Sequence, residues 1–213
     1  MDDVAPPNLS LSLTARILAR QPDDKARAVL SAAFETFLQF GVKRTAMQDI
    51  ADRAGMSRAA LYLHYRNKDD IFAALMAGYF EAAADAASEA LALHDDPVDA
   101  LQAGFAAQSG DAAERMMDSP HAEEMLATKL AAARDAVVAG ETRLVAVYAE
   151  WLDHGVMADR LSRDAVGDDP AMTAAAMLAA VMGLKQAGLR GAGYTAARDR
   201  LAHLFGQGLR RDG

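Results

Sequence analysis

The sequence predicts an all-α protein, with a small three-helix helix-turn-helix domain near its N-terminus and a longer helical part after it. Three observations predict this. Ala, Leu, Met and Glu abound and long β-branched runs are absent. Apolar residues recur at helical spacing and are interrupted at Gly and Pro. Residues 45–68 read as two short helices joined at a Gly-containing turn, with a third helix starting after them.

Taken in order, residues 1–21 (Pro6-Pro7, then Leu9, Leu11 and Leu13 alternating with Ser, then Arg16 and Arg20) are expected to form a flexible tail. Pro22-Asp23-Asp24 opens the first helix, with acids at its positive end. Leu30, Ala33, Phe34, Phe37 and Phe40 supply its apolar side, and Gly41 ends it. Thr45 and Gln48 have the spacing of a capping box for the second helix. Met47, Ile50, Ala51 and Ala54 are that helix's apolar face, and Gly55 stands where the chain must reverse. Ser57 caps a third helix reaching about Tyr65.

On this third helix, laid out at about 100° per residue, Leu61 and Tyr65 fall together and face the core. Ala59 and Leu63 fall on the other side, between Arg58 and Tyr62 on one edge and Ala60 and His64 on the other. Apolar residues at the centre of an outward face suit a surface that another macromolecule covers, and the floor of a DNA groove is one such surface. Arg58 is the residue best suited to reading a base directly, by a bidentate contact to guanine, while Ala59, Ala60 and Leu63 suit thymine methyls. With a single Arg there, much discrimination is expected from DNA shape.

The stretch from Gly41 to Phe72 resembles the DNA-binding domain of the TetR (tetracycline-repressor-like) family of transcriptional regulators. The resemblance rests on Phe37 and Gly41, Thr45, Ile50-Ala51, Ala54-Gly55-Met56-Ser57, Leu61-Tyr62, Tyr65, Lys68 and Ile71 at that family's spacing. Tyr65 stands where Phe is usual, Met56 where Val is usual, and Ala59-Ala60 where a Gly with Thr or Ser is frequent. The resemblance covers about the first third of the chain. It implies that Thr45, Tyr62, His64 and Lys68 hold phosphates, with Lys43, Arg44 and Ser57 completing the contact set.

The charge agrees with this reading. The chain carries a net −8, but residues 1–70 carry +1 and residues 71–213 carry −9. Lys43, Arg44, Arg53, Arg58, Arg66 and Lys68 cluster at the motif, and local charge decides phosphate neutralisation. Few phosphates can be met per subunit, so strong binding calls for two.

A fourth helix, about 68–93, holds Lys68 in its first turn, where a phosphate would meet both the ammonium and free N–H groups. It joins a 22–82 DNA-binding domain to an 83–213 regulatory domain without a flexible linker, and so is expected to carry motion between them. Further helices are expected over 97–110, 111–118, 121–155 with a break near Gly140, about 170–189 and 195–209, with a loop over 166–170 and a turn at Gly191–Gly193.

The resemblance implies that the last two helices form a four-helix interface with a second copy, making a homodimer. Met172, Ala175, Ala179 and Met182 form one face for it, and Leu201, Leu204 and Phe205 the other. Two-fold symmetry asks for a near-palindromic site on double-stranded DNA. It also implies a pocket among the middle helices for a largely apolar small-molecule effector. Phe105, Met117, Tyr148 and Trp151 are its candidates, and eight of the 11 Met residues lie after position 70, where adaptable walls would be useful.

Other chemistry is not indicated. The five His show no metal-ligand spacing, and His94-Asp95-Asp96 before Pro97 reads as a helix cap. Gly188, Gly191 and Gly193 follow no strand, and no nucleophile elbow or P-loop is present. There is no Cys, no apolar run of 18 residues and no signal pattern, so a cytoplasmic protein without membrane spans, catalytic residues, metal or cofactor is expected. The functional expectation is a ligand-responsive DNA-binding regulator, a repressor released from its site by an inducer. The alternative is a helical interaction module that uses its helix-turn-helix for protein contacts.

Overall fold

The computed structural model describes residues 11–211, and of residues 129–131 the backbone alone. The described chain is all-α; one isolated antiparallel bridge joins Leu161 and Arg210. It divides into two compact units. Of the described residues, one gathers 14–82 and 111–143, the other 11–13, 83–110 and 144–211.

Residues 1–10 of the expected tail lie outside the described residues, but Leu13–Ala19 is a helix, α1. Leu13 and Ile17, four apart, are buried, which the Leu/Ser alternation before them concealed. Ile17 packs on Gly78, where a Cβ would lie 3.1 Å from its Cγ2.

α2 spans Asp24–Phe40 and is capped by Asp23, whose carboxylate accepts from the Ala26 N–H at 2.7 Å. Leu30, Ala33 and Phe37 are buried as expected, and Phe37 meets Phe72 edge-on with centroids 5.8 Å apart. Phe40, the last helical residue, is exposed instead. α3 (Met47–Arg53) and α4 (Arg58–His64) follow, joined through Gly55 at φ 67°, the left-handed region that favours glycine. Ile50, Leu61, Ile71 and Phe72 complete the core of this three-helix domain.

α5 runs unbroken over Lys68–Leu91, and α6 spans Pro97–Asp118. α6 holds a kink at Gly110 (φ 51°), which is why the sequence reads as two helices there. α7 is Ala122–Ala132 and α8 is Arg134–Met157. The break expected at Gly140 falls at Ala133 instead. Gly140 lies inside α8 against Phe80, whose ring carbon would be 2.2 Å from any Cβ, so it serves close packing and not a break.

In the other unit a short α9 (Arg163–Val166) leads to α10 (Pro170–Gln186), capped by Asp169, and α11 (Gly191–Leu209). Gly191–Gly193 is the first turn of α11 and not a separate loop. No helix among the described residues is long and apolar enough to cross a membrane.

Candidate DNA-binding surface

α4 has the geometry its sequence predicts. The Ser57 hydroxyl oxygen accepts from the Ala60 N–H at 3.1 Å and fixes the start of the helix. Leu61 is 0% exposed and is the buried residue that seats α4; Tyr65, half-buried, caps its far end. Burial, and then Asp23, push the Tyr65 phenol up. On the opposite side Ala59 is exposed and Leu63 is 87% exposed. Arg58 stands with its guanidinium 5.4 Å over the Tyr62 ring and donates to the Tyr62 hydroxyl at 3.2 Å, so the i,i+4 pair holds both side chains in place. His64, Lys43 and Arg44 are exposed nearby in sequence, and Ala60 is half-buried.

Two expected contact residues, Thr45 and Lys68, have hydrogen-bond partners within the protein. Thr45 is 2% exposed, and its hydroxyl donates to the Gly41 carbonyl at 2.7 Å. It neither caps α3 nor points outward. The cap position belongs to Ala46, whose N–H donates to the Asp49 carboxylate at 2.7 Å, one residue out of register with the Thr45–Gln48 pair. Lys68 reaches back from the first turn of α5 and donates to the carbonyls of Lys43 (2.8 Å) and Thr45 (2.9 Å). Those carbonyls explain a cation at a helix N-terminus, because they tie the turn before α3 to the start of α5. Replacing Lys68 with Met is expected to lower stability by about 1 kcal/mol. DNA binding should weaken with an unchanged salt dependence, whereas a lysine on a phosphate would take about one contact out of the slope.

A second set of residues was not legible as functional. The last carbonyls of α2 have no partner within the helix. The Ser119 hydroxyl donates to the Leu38 carbonyl at 2.8 Å, and the His121 ring Nε2 lies 3.2 Å from the Gln39 carbonyl. Glu124 accepts from the Lys43 N–H at 2.6 Å, beside Gly41, where a Cβ would come within 2.7 Å of that carboxylate. Arg115 donates to both carboxylate oxygens of Glu35 at 2.7 and 2.8 Å, with its guanidinium 5.1 Å over Phe34. Residues 115–124 therefore hold the end of α2 and the turn from which α3 starts. This is why 111–143, expected with the regulatory part, groups with the helix-turn-helix. Only Gly41 hinted at such a close approach.

In the other unit Phe105 and Tyr148 stack at 5.6 Å and are fully buried, and Trp151 is half-buried one turn beyond Tyr148 on α8. Met117, the fourth pocket candidate, is buried in the helix-turn-helix unit. Of the expected interface faces, Met172 (67%), Leu204 (59%), Met182 and Ala179 are exposed, while Ala175, Leu201 and Phe205 are half-exposed. Asp96 accepts from the N–H groups of Val98 and Asp99, the capping role expected of it. Among the described residues no group of three or more His, Cys, Asp or Glu is placed to hold a metal.

Residues 29–75 match the family model described as bacterial regulatory proteins, tetR family. The chain is 42% identical over 48 residues to the transcriptional regulator TtgR of Pseudomonas putida, covering 22% of this chain and 23% of that one. It is 36% identical over 58 residues to RutR of Escherichia coli (strain K12), covering 27% of each. The matches thus span about a quarter of these relatives' length. Fold similarity reaches further. A transcriptional regulator from Cytophaga hutchinsonii ATCC 33406 aligns with a TM-score of 0.71 at 18% identity, over 89% of this chain and 100% of that one. SmeT, the repressor of the Stenotrophomonas maltophilia multidrug efflux pump SmeDEF, aligns at 0.63 and 20% identity, over 88% and 91%. SmeT has also been solved in complex with triclosan (TM-score 0.65, 20% identity, 90% and 94%). Residues 29–75 thus carry the helix-turn-helix described for bacterial regulatory proteins of the tetR family, and the all-helical fold around them is similar to that of these solved regulators.

Proposed function

We propose that the protein is a homodimeric transcriptional repressor that binds a near-palindromic duplex through α4 and leaves it when a small-molecule effector binds. The observation that carries the reading is the outward face of α4: Leu63 stands 87% exposed opposite the fully buried Leu61. Beside the exposed Ala59 and between Arg58 and His64, this leucine centres a face suited to a partner that covers it. A groove floor with thymine methyls is a partner of the right chemistry. Arg58, braced on Tyr62, reads a guanine edge; Ser57, Tyr62, His64, Lys43 and Arg44 lie along the phosphates, and Ala59 and Ala60 allow close approach. The exposed apolar faces of α10 and α11 support pairing of two copies, which would place two recognition helices about one DNA turn, or somewhat more, apart.

The regulatory part of the proposal follows from linkage. An effector releases DNA only if it binds more tightly to a form of the dimer that fits the duplex poorly. That SmeT binds triclosan supports an effector of small, largely apolar kind.

The reading is tested with duplexes from upstream of the protein's own gene, titrated by fluorescence anisotropy at several salt concentrations. Specific binding that falls steeply with salt is expected. Salt-insensitive or absent binding would favour a module that uses its helix-turn-helix for protein contacts. Within the bound site, Arg58→Ala is expected to relax preference at one or two base pairs by about 1–3 kcal/mol. A uniform loss across all substituted duplexes would remove Arg58 from base reading.

A further inference from the structure

Tyr148 is 0% exposed, and its hydroxyl has no hydrogen-bond partner among the described residues. Buried tyrosine hydroxyls are ordinarily paired, and one left alone is costly. The surroundings are specific. Phe105 stacks on the ring, and Gly104, whose Cβ would lie 3.1 Å from the hydroxyl oxygen, lets α6 come close on that side. Leu91 lines the same place, 2.9 Å from that Cβ position. Gln108, one turn beyond Gly104 on the same face of α6, is buried, and next to it Ser109 and the Tyr194 hydroxyl form a buried pair at 3.0 Å. Among the described residues of this unit the buried charged side chain is Arg198, joined to Asp199 at 2.8 Å. Burial, and then Tyr194, push the Tyr148 phenol well above its ordinary range, so it stays protonated and acts as a donor.

We infer that Tyr148 is the polar anchor of the effector site, and that it selects an uncharged, mostly apolar, aromatic molecule presenting an acceptor oxygen to its hydroxyl. The inference rests on the ligand-responsive reading above and names the chemical class it takes. The aromatic and aliphatic walls supplied by Phe105, Leu91 and the Tyr148 ring favour flat apolar bodies. A carboxylate or ammonium would lose more hydration among these apolar walls than a neutral acceptor would. A carbonyl or ether oxygen supplies what the hydroxyl lacks.

The test uses the full chain, without DNA, and a matched pair of probes. Benzophenone carries a carbonyl where diphenylmethane carries a methylene; the shapes are otherwise alike. Equilibrium dialysis is expected to show benzophenone bound more tightly than diphenylmethane by the wild type, by about five- to ten-fold, the worth of one neutral hydrogen bond. In Tyr148→Phe the difference should vanish, and the variant without ligand should unfold at the same denaturant concentration as the wild type or a higher one. The inference is overturned if the wild type binds neither probe or does not distinguish them. It is equally overturned if Tyr148→Phe keeps the difference, or loses stability in the absence of ligand, since the hydroxyl would then serve the fold. Duplex binding by the same preparations is measured separately, so that a failure of the regulator reading shows as lost DNA binding and leaves the probe result independent.

Discussion

Leu61→Ala is expected to cost about 2–5 kcal/mol of folding free energy, the range for emptying a fully buried leucine site. It is the buried residue of a seven-residue helix that spans too few residues to hold itself together in isolation. The loss therefore falls on the helix that is proposed to meet DNA. Denaturant unfolding should show a lower midpoint, and DNA affinity should collapse with it, even at temperatures where the rest of the chain stays folded. A small change in both would mean that α4 is seated by something other than Leu61.

The second large effect lies in the other unit. At Gly206 on α11, a Cβ would stand 2.6 Å from the Val98 Cα and 2.7 Å from its nitrogen. These are backbone atoms of α6, which cannot rotate out of the way. Gly206→Ala is therefore expected to destabilise by about 1–3 kcal/mol, as overpacked sites do. Gly208, two residues on, has open space around its Cβ position. There the same substitution is expected to stabilise by about 0.5–1 kcal/mol, because alanine loses less backbone freedom in a helix. Opposite signs from two neighbouring Gly→Ala changes, read by chemical denaturation, test the close approach of α11 to α6. Equal effects would contradict it.

What could be read from the sequence was local. Ser57 as a cap, Gly55 as the reversal and Leu61 against Leu63 as inside and outside all follow from short-range geometry, and the structure places each accordingly. The errors arise where two local solutions compete or where the partner is distant in sequence. Thr45–Gln48 and Ala46–Asp49 both fit a helix start. The second prevails because the Thr45 hydroxyl is drawn inward to the Gly41 carbonyl. The two carbonyl partners of Lys68, 23 and 25 residues away, are of the distant kind. Ser119, His121 and Glu124 carry no motif at all. Their roles exist because α2 ends beside them with unpaired carbonyls and a turn to secure. The orphan hydroxyl of Tyr148 is likewise a property of packing, invisible to spacing.

The central claim is that the outward face of α4 is covered by nucleobases and not by the protein itself. Leu63→Asp tests it most directly, with folding stability and operator affinity measured on the same samples. At a site 87% exposed, the unfolding free energy should stay within about 0.5 kcal/mol of the wild type. Duplex affinity should fall more than about ten-fold, which corresponds to about 1.4 kcal/mol. Unchanged affinity, or a loss of folding stability that accounts for the whole effect, would contradict the claim.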